Sequence, residues 1–368
     1  MSKFTKDDLK RFQAESLNEK FQRTMAKVSE WYSRWDNEVY VSFSGGKDST
    51  VLADICARWC KVINKPLYLM YVNTGLEYPE IQKFVKTYAQ YLRDKYNIEV
   101  VLDIVRPKMR FDEVIKKYGY PIISKLVSEA IENTRKNIAK GKTDTVRYKQ
   151  LHGEYMTTDG TRKSLFDKSK YEPLLYSNIP ISDKCCTVMK KSPARQYERT
   201  TGRKPILAQL ACESQKRTNA WLNSGCNGFD LAYPQSNPMA FWLENDVLWY
   251  IKEEQIPIAS VYGEIVYADQ PDQLRIEDFG LGGYGAEELT TTGCDRTGCI
   301  FCAFGCHLED VPRFQRLKET HPRQYEYCIG GGEYGEDGMW KPNKQGLGMG
   351  HIFDELNKIY GEDFIKYK

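Results

Sequence analysis

A buried strand that breaks at Ser44-Gly45-Gly46-Lys47-Asp48-Ser49 and restarts as a helix is the feature that most limits what this chain can become. Val39–Phe43 has the β-branched and aromatic content of a short buried strand. Val51, Leu52, Ile55, Cys56, Trp59 and Ile63 then recur at helical spacing. Two glycines let the backbone come close to a ligand in conformations closed to other residues. The first amides of the following helix lack partners inside it, and its dipole favours negative charge there. Ser44, Ser49 and Thr50 add hydroxyls and Lys47 adds a cation. A di- or triphosphate suits such a bend.

The spacing is not that of the kinase-type P-loop, which carries a longer glycine interval ending in Gly-Lys-Ser/Thr. Instead the six residues resemble the PP-loop of the ATP pyrophosphatase superfamily, which includes the ATP sulfurylase small subunit, GMP synthetase, tRNA thiolases and the PAPS/APS reductases. The resemblance implies an adenine nucleotide (ATP, APS or PAPS) whose pyrophosphate sits on Ser44, Gly45, Gly46, Lys47, Asp48 and Ser49, with Mg²⁺ as companion ion. It also implies catalytic roles for Lys47 and Asp48. The segment Asn73-Thr74-Gly75-Leu76-Glu77-Tyr78-Pro79 resembles a second family motif, which adds Thr74 and Gly75 to the nucleotide site.

Further patterns set the fold class. Pro66–Asn73 and Ile98–Val105 read as strands, Tyr78–Tyr96 and Arg110–Tyr118 as helices, and Ile206–Ala211 as another parallel strand. Strands alternating with helices predict an α/β fold, a parallel sheet flanked by helices, with ligands beyond the carboxyl ends of its strands. Before this domain, residues 5–35 form one amphipathic helix on Leu9, Phe12, Leu17, Phe21, Met25, Val28, Trp31, Tyr32 and Trp35, capped by Thr5. The expected division is 1–37 for the N-terminal helix, 38–235 for the nucleotide-binding domain with an insertion at about 125–180, and 236–368 for a C-terminal region holding a cysteine cluster. Helices are also expected over 239–251, from Arg313, and near His351.

Charge narrows the partners. Across 368 residues 53 basic side chains nearly balance 50 acidic ones, so no global field points to nucleic acid. Locally, residues 184–217 carry nine Lys/Arg against Glu198 and Glu213, residues 135–149 carry six against Asp144, and 264–288 is acidic. No segment has the apolar length of a signal peptide core or a membrane span, which places the chain in the cytoplasm as an expectation. There, eleven cysteines argue for metal or redox use of some of them rather than a disulfide framework.

Four of those cysteines, Cys294, Cys299, Cys302 and Cys306, fall within thirteen positions. Four-thiolate sets hold Zn²⁺ or an iron–sulfur cluster. Cys56, Cys60, Cys212, Cys226 and Cys328 read as small buried hydrophobes. The block from Cys185-Cys186 through Lys190 and Pro193 to Glu213-Ser214-Gln215-Lys216-Arg217 resembles the PAPS/APS reductase family. That resemblance implies that Lys190 and Arg217 face the nucleotide's anionic groups. It further implies a [4Fe–4S] cluster on Cys185, Cys186, Cys299 and Cys302. A PP-loop relative that phosphorothioates DNA draws its ligands from one late segment, which here would be Cys294, Cys299, Cys302 and Cys306.

The expected activity is cleavage of ATP between its α and β phosphates, adenylylating an acceptor in sulfur transfer. Family reductases carry altered loops and a Glu-Cys-Gly-Leu-His sequence, and the sequence holds an intact loop without that pentapeptide. The alternatives are an APS/PAPS reductase whose nucleophile has moved to Cys294 or Cys306, and a nucleotide-sensing module that binds nucleic acid. Partners implied by the resemblance are a sulfur-donor protein or thioredoxin-like reductant, a nucleic-acid acceptor and a second copy of the chain.

Overall fold

The computed structural model describes residues 2–268, 284 and 287–368. Most of the acidic stretch 264–288 therefore lies outside the described residues. The chain forms two compact units, each assembled from separate segments: residues 1–73, 77–106 and 193–297, and residues 74–76, 107–192 and 298–368.

The first unit holds a six-stranded sheet flanked by helices, the expected α/β class. Its strands run in the order Val100–Val105, Leu67–Val72, Val39–Ser42, Lys204–Ile206, Gln235–Ser236, Asn227–Gly228. All neighbours pair in parallel except the last two, which are antiparallel. From Val39–Ser42 the chain builds outward on one side through Leu67–Val72 and Val100–Val105, and on the other through Lys204–Ile206. The Gly-Gly bend follows the strand where this direction reverses, the place where open parallel sheets bind ligands. Val39, Tyr40, Val41 and Phe43 are buried, as are Val51, Leu52, Ile55 and Cys56 on the helix Lys47–Ile63. That helix and its successor Pro79–Tyr96 both stop on an asparagine in the left-handed region, Asn64 and Asn97.

Three expected elements shift. The N-terminal helix is two, Lys6–Gln13 and Leu17–Arg34, because Ser16 and Glu19 form a second capping box that restarts the chain. The strand expected to reach Ala211 ends at Ile206, since its neighbour Gln235–Ser236 offers only two residues to pair with. The helix expected from Met239 begins at Glu244, where the Asp246 carboxylate accepts from the Leu243 amide at 2.7 Å. Lys20 ties the second N-terminal helix to that one: its ammonium lies 2.6 Å from Asp246, with side-chain exposures of 1% and 4%, and donates to the Tyr284 hydroxyl at 2.9 Å.

In the second unit, Ile122–Ile123 pairs in parallel with Ala303–Phe304. Residues 125–180 contribute the helices Lys125–Ile138 and Val146–Leu151 and a 3₁₀ segment, Ser169–Tyr176. Arg135 holds this region together by donating to the carbonyls of Leu175, Ser177 and Ile179 at 2.7–3.1 Å. Arg147 pairs with Glu129 at 3.1 Å and Lys149 with Asp144 at 2.5 Å. Of the basic run 135–149, Arg135 is thus spent inside the fold, while Lys136, Lys140 and Lys142 are exposed. Among the described residues no helix is long and apolar enough to cross a membrane.

Candidate nucleotide site and cysteine cluster

Gly45 makes the bend possible. Its φ is +76°, and a Cβ there would lie 2.9 Å from methyl groups of both Ile81 and Val85. Gly46 then caps the helix Lys47–Ile63 without a side chain. Hydroxyls stitch the turn: Ser49 and Thr50 donate to the Gly46 carbonyl at 2.9 and 3.0 Å. The Ser44 amide donates to Ser49 Oγ at 3.2 Å and the Gly46 amide to Ser44 Oγ at 3.3 Å. Tyr262 reaches in as well, its hydroxyl accepting from the Lys47 amide at 3.3 Å and lying 2.6 Å from Thr297 Oγ1. Burial pushes the Tyr262 phenol up to about 12, so it remains a neutral hydroxyl. The loop amides are therefore partly occupied by the protein's own oxygens. Those contacts are longer than the usual 2.9–3.0 Å or so for N–H···O bonds. An anionic phosphate oxygen makes shorter and stronger ones.

Around the loop, cations and carboxylates alternate. The Lys47 ammonium, on a side chain 6% exposed, sits 3.1 Å from Glu244. Arg296 lies 3.6 Å from the other Glu244 oxygen and 3.9 Å from Glu213, and Glu213 also pairs with Arg217. Burial raises the Asp48 carboxyl's pKa, and the Glu244 charge adds to this, against the pull of Lys47, Arg296 and Arg217. The charge of Arg217 thus bears on Asp48 together with that of Lys47, although its ion-pair partner is the carboxylate of Glu213.

Glu244, Tyr262, Arg296 and Thr297 were not legible as site residues. Glu244 sits in an aromatic segment that reads as core, and nothing in the spacing of 262 or 296–297 ties them to residue 47. Cys212 corrects the sequence reading. Of the five cysteines read as buried hydrophobes, Cys56, Cys60, Cys226 and Cys328 are buried, but Cys212 is exposed. Partial burial nevertheless raises its thiol's pKa, with Glu244 and Asp48 adding to this against the pull of Arg296.

Thr74, Gly75 and Lys190 belong to the second unit. Thr74 Oγ1 accepts from the Leu76 amide at 3.1 Å, and Gly75 has φ +75°. Lys190 lies in a π-helical turn, Thr187–Lys191, that follows the single turn Lys184–Cys186. Its charge bears on the Cys186 thiol.

Cys185 and Cys186 lie with their sulfurs 3.9 Å apart. The hydrogen bond from Cys185, with the charges of Lys125 and Lys190, pulls the Cys186 thiol's pKa down. Cys185 is pushed up by that bond, by burial and by the neighbouring Cys302 and Cys299. A tight turn, in which the Cys302 amide donates to the Cys299 carbonyl at 3.0 Å, sets the later pair. Arg313 donates to the Cys302 carbonyl at 2.9 Å. The second unit thus gathers Cys185, Cys186, Cys299 and Cys302 with three cations. Cys306 is 6% exposed in the same unit, its sulfur donating to the Ala303 carbonyl at 3.2 Å and its thiol pushed up by burial to about 12. Cys294 belongs to the first unit and is also 6% exposed. Among the described residues, no group of three or more His, Cys, Asp and Glu is arranged to hold a single metal ion.

The phosphoadenosine phosphosulfate reductase domain is matched over residues 38–304 of this sequence. Among solved structures the chain is similar to NMN synthetase from Francisella tularensis, at 14% identity and TM-score 0.30, over 66% of this chain and 72% of that one. No curated protein matches.

Proposed function

The chain belongs to the phosphoadenosine phosphosulfate reductase domain family, and from that premise we propose that it binds ATP at Ser44–Ser49 and cleaves it between the α and β phosphates. In this reaction an oxygen of the acceptor bonds to the α-phosphorus as the bond from that phosphorus to the α–β bridging oxygen breaks. Pyrophosphate departs with the electron pair, and the acceptor's proton passes to water. The observation that carries the reading is Lys47, buried beside the Gly45-Gly46 bend with Glu244 as its ion-pair partner. Phosphate oxygens replace Glu244 at the ammonium and the Ser44 and Tyr262 hydroxyls at the amides. Each such preorganised donor supplies roughly 3–4 kcal/mol at best.

Asp48 is the carboxylate at the loop that would hold Mg²⁺, which takes one or two carboxylates alongside substrate phosphates and neutralises the leaving pyrophosphate. Cys185, Cys186, Cys299 and Cys302 have the donor chemistry of a four-thiolate iron–sulfur site, whose negative charge Lys125, Lys190 and Arg313 would offset.

The second reading is an APS/PAPS reductase, and Cys212 favours it. Its thiolate would bond to the sulfate sulfur, AMP or its 3′-phosphate would leave from the broken S–O bond, and a reductant thiol would then release sulfite. Cys294 and Cys306 are poor nucleophiles here because both are buried. Anaerobic incubation with ATP, APS and PAPS separates the two: pyrophosphate release supports the first, sulfite release the second. Lys47→Ala abolishes the pyrophosphate signal while leaving the visible absorbance of a cluster in place. Undiminished turnover in that variant would remove the loop assignment.

A further inference from the structure

Tyr262 reaches the glycine bend from far along the chain, and the fold holds it there on both sides. The antiparallel pairing of Ile265–Tyr267 with Leu289–Thr291 brings the segment around Tyr262 beside residues 293–297 of the same unit. The Gly293 amide donates to the Tyr262 carbonyl at 2.9 Å, and the Cys294 amide to the Val261 carbonyl at 3.0 Å. Tyr262 itself is 2% exposed. Its ring centroid lies 5.4 Å from the Lys47 ammonium, while its hydroxyl takes the Lys47 amide at 3.3 Å and meets Thr297 Oγ1 at 2.6 Å. A Cβ on Gly46 would come within 3.4 Å of the phenol oxygen and 3.5 Å of Thr297 Oγ1. Both hydroxyls therefore stand at the bare face of the bend.

We infer that Tyr262 is a further phosphate-binding residue, donating its hydroxyl proton to an oxygen of the pyrophosphate group, and that Thr297 is the residue that positions it. The assignment rests on phosphate binding at Ser44–Ser49. In the empty site the phenol oxygen accepts the Lys47 N–H and leaves its own proton for Thr297 Oγ1. That satisfies a first-turn amide with no partner inside its helix. A phosphate oxygen that takes over the Lys47 N–H arrives against the phenol oxygen. The ring is enclosed and its backbone is tied to residues 293 and 294, so it cannot swing away. Two oxygens in contact need a proton between them, and a hydroxyl rotates to supply one. Tyr262 then donates to the phosphate, and Thr297 turns its own proton onto the phenol oxygen. Two hydroxyls hold two protons in both states, and none is transferred. Burial keeps the phenol protonated at neutral pH, so the proton is always there to give. A hydrogen bond to an anionic oxygen is stronger than the one from a neutral amide that it replaces, and the Thr297 hydroxyl behind it polarises it further. The ring face also stays with the Lys47 ammonium when Glu244 gives way.

Calorimetric titration of the full chain with inorganic pyrophosphate and with ATP, both in EDTA, tests the pair. Tyr262→Phe keeps the ring and removes one oxygen. It should weaken both ligands by the same factor, roughly ten- to a hundredfold, the loss of one hydrogen bond to a charged group. A hydroxyl that merely plugs the Lys47 amide predicts the opposite sign, because its removal frees the amide and tightens binding. Thr297→Val should weaken both ligands roughly three- to tenfold, and Thr297→Ser should restore them. The double variant with Tyr262→Phe should bind no more weakly than Tyr262→Phe alone, since Thr297 acts only through the phenol. A purely structural Thr297 would instead lower the urea midpoint and leave both affinities alone. Unchanged or tighter binding in Tyr262→Phe overturns the assignment and leaves the loop reading standing, and so does a loss confined to ATP. If Tyr262→Phe fails to fold, Thr297 carries the test: unchanged affinity in Thr297→Val, or a loss that Thr297→Ser shares in full, overturns the assignment. A wild type that binds neither pyrophosphate nor ATP sinks the loop reading itself.

Discussion

Replacing Glu244 by glutamine keeps the side chain's shape and removes the charge that Lys47 faces at 3.1 Å. Two unit charges at that separation attract by about 5 kcal/mol at an effective dielectric near 20. Glu244 is 42% exposed and shared with Arg296, so screening by water reduces the net worth of the pair to about 1–2 kcal/mol. An ATP molecule that recruits Lys47 must first break this pair. Glutamine removes that cost, and affinity for metal-free ATP should rise roughly five- to thirtyfold. Calorimetry in EDTA, wild type against Glu244→Gln, reads the change directly. The folded state should lose a similar 1–2 kcal/mol or so, seen as a lower urea midpoint. An unchanged or weakened ATP affinity in the variant would refute the exchange of carboxylate for phosphate at Lys47.

Gly45→Ala combines a left-handed φ with a Cβ 2.9 Å from Ile81 and Val85, so it should cost about 2–4 kcal/mol and abolish ATP binding, checked by urea unfolding and titration. Asp48 binds its proton more tightly in the folded chain because burial disfavours its charge. Folding stability should therefore fall as pH rises from the unfolded pKa to the raised folded one, then level off. Asp48→Asn should flatten that slope above about pH 4 while eliminating turnover. Lys20→Met leaves the Asp246 carboxylate buried without its cation; about 3 kcal/mol should be lost, and an unchanged urea midpoint would contradict this. Cys299→Ser or Cys302→Ser should bleach anaerobically purified protein and lower its iron content, whereas a colourless wild type with stoichiometric zinc would replace the cluster by a zinc site.

Local pattern was enough for the strand, bend and helix around residues 39–63, because every residue there serves a neighbour a few positions away. β-Branched residues fill a pleat, glycines turn the chain, and apolar side chains recur every third or fourth position. Capping is equally local, yet Ser16-x-x-Glu19 lies inside a continuous apolar stripe, and the stripe predicts one helix where two stand. The extent of Lys204–Ile206 was not local, since it depends on how many residues a strand thirty positions away presents.

The strand, glycine bend and helix around Ser44–Ser49, the α/β class and the adjacency of Cys185 and Cys186 followed from the sequence alone, since each is written in consecutive residues whose backbone chemistry acts at short range. Which charges stand against Lys47, which thiol reaches the surface and which hydroxyl meets the Lys47 amide were decided only by the fold. Glu244, Tyr262 and Arg296 lie about 200 or more positions from Lys47 in the chain, and no periodicity carries information over such a distance. Long-range packing sets their partners, because Coulomb energy and burial depend on separation in space and take no account of separation along the backbone.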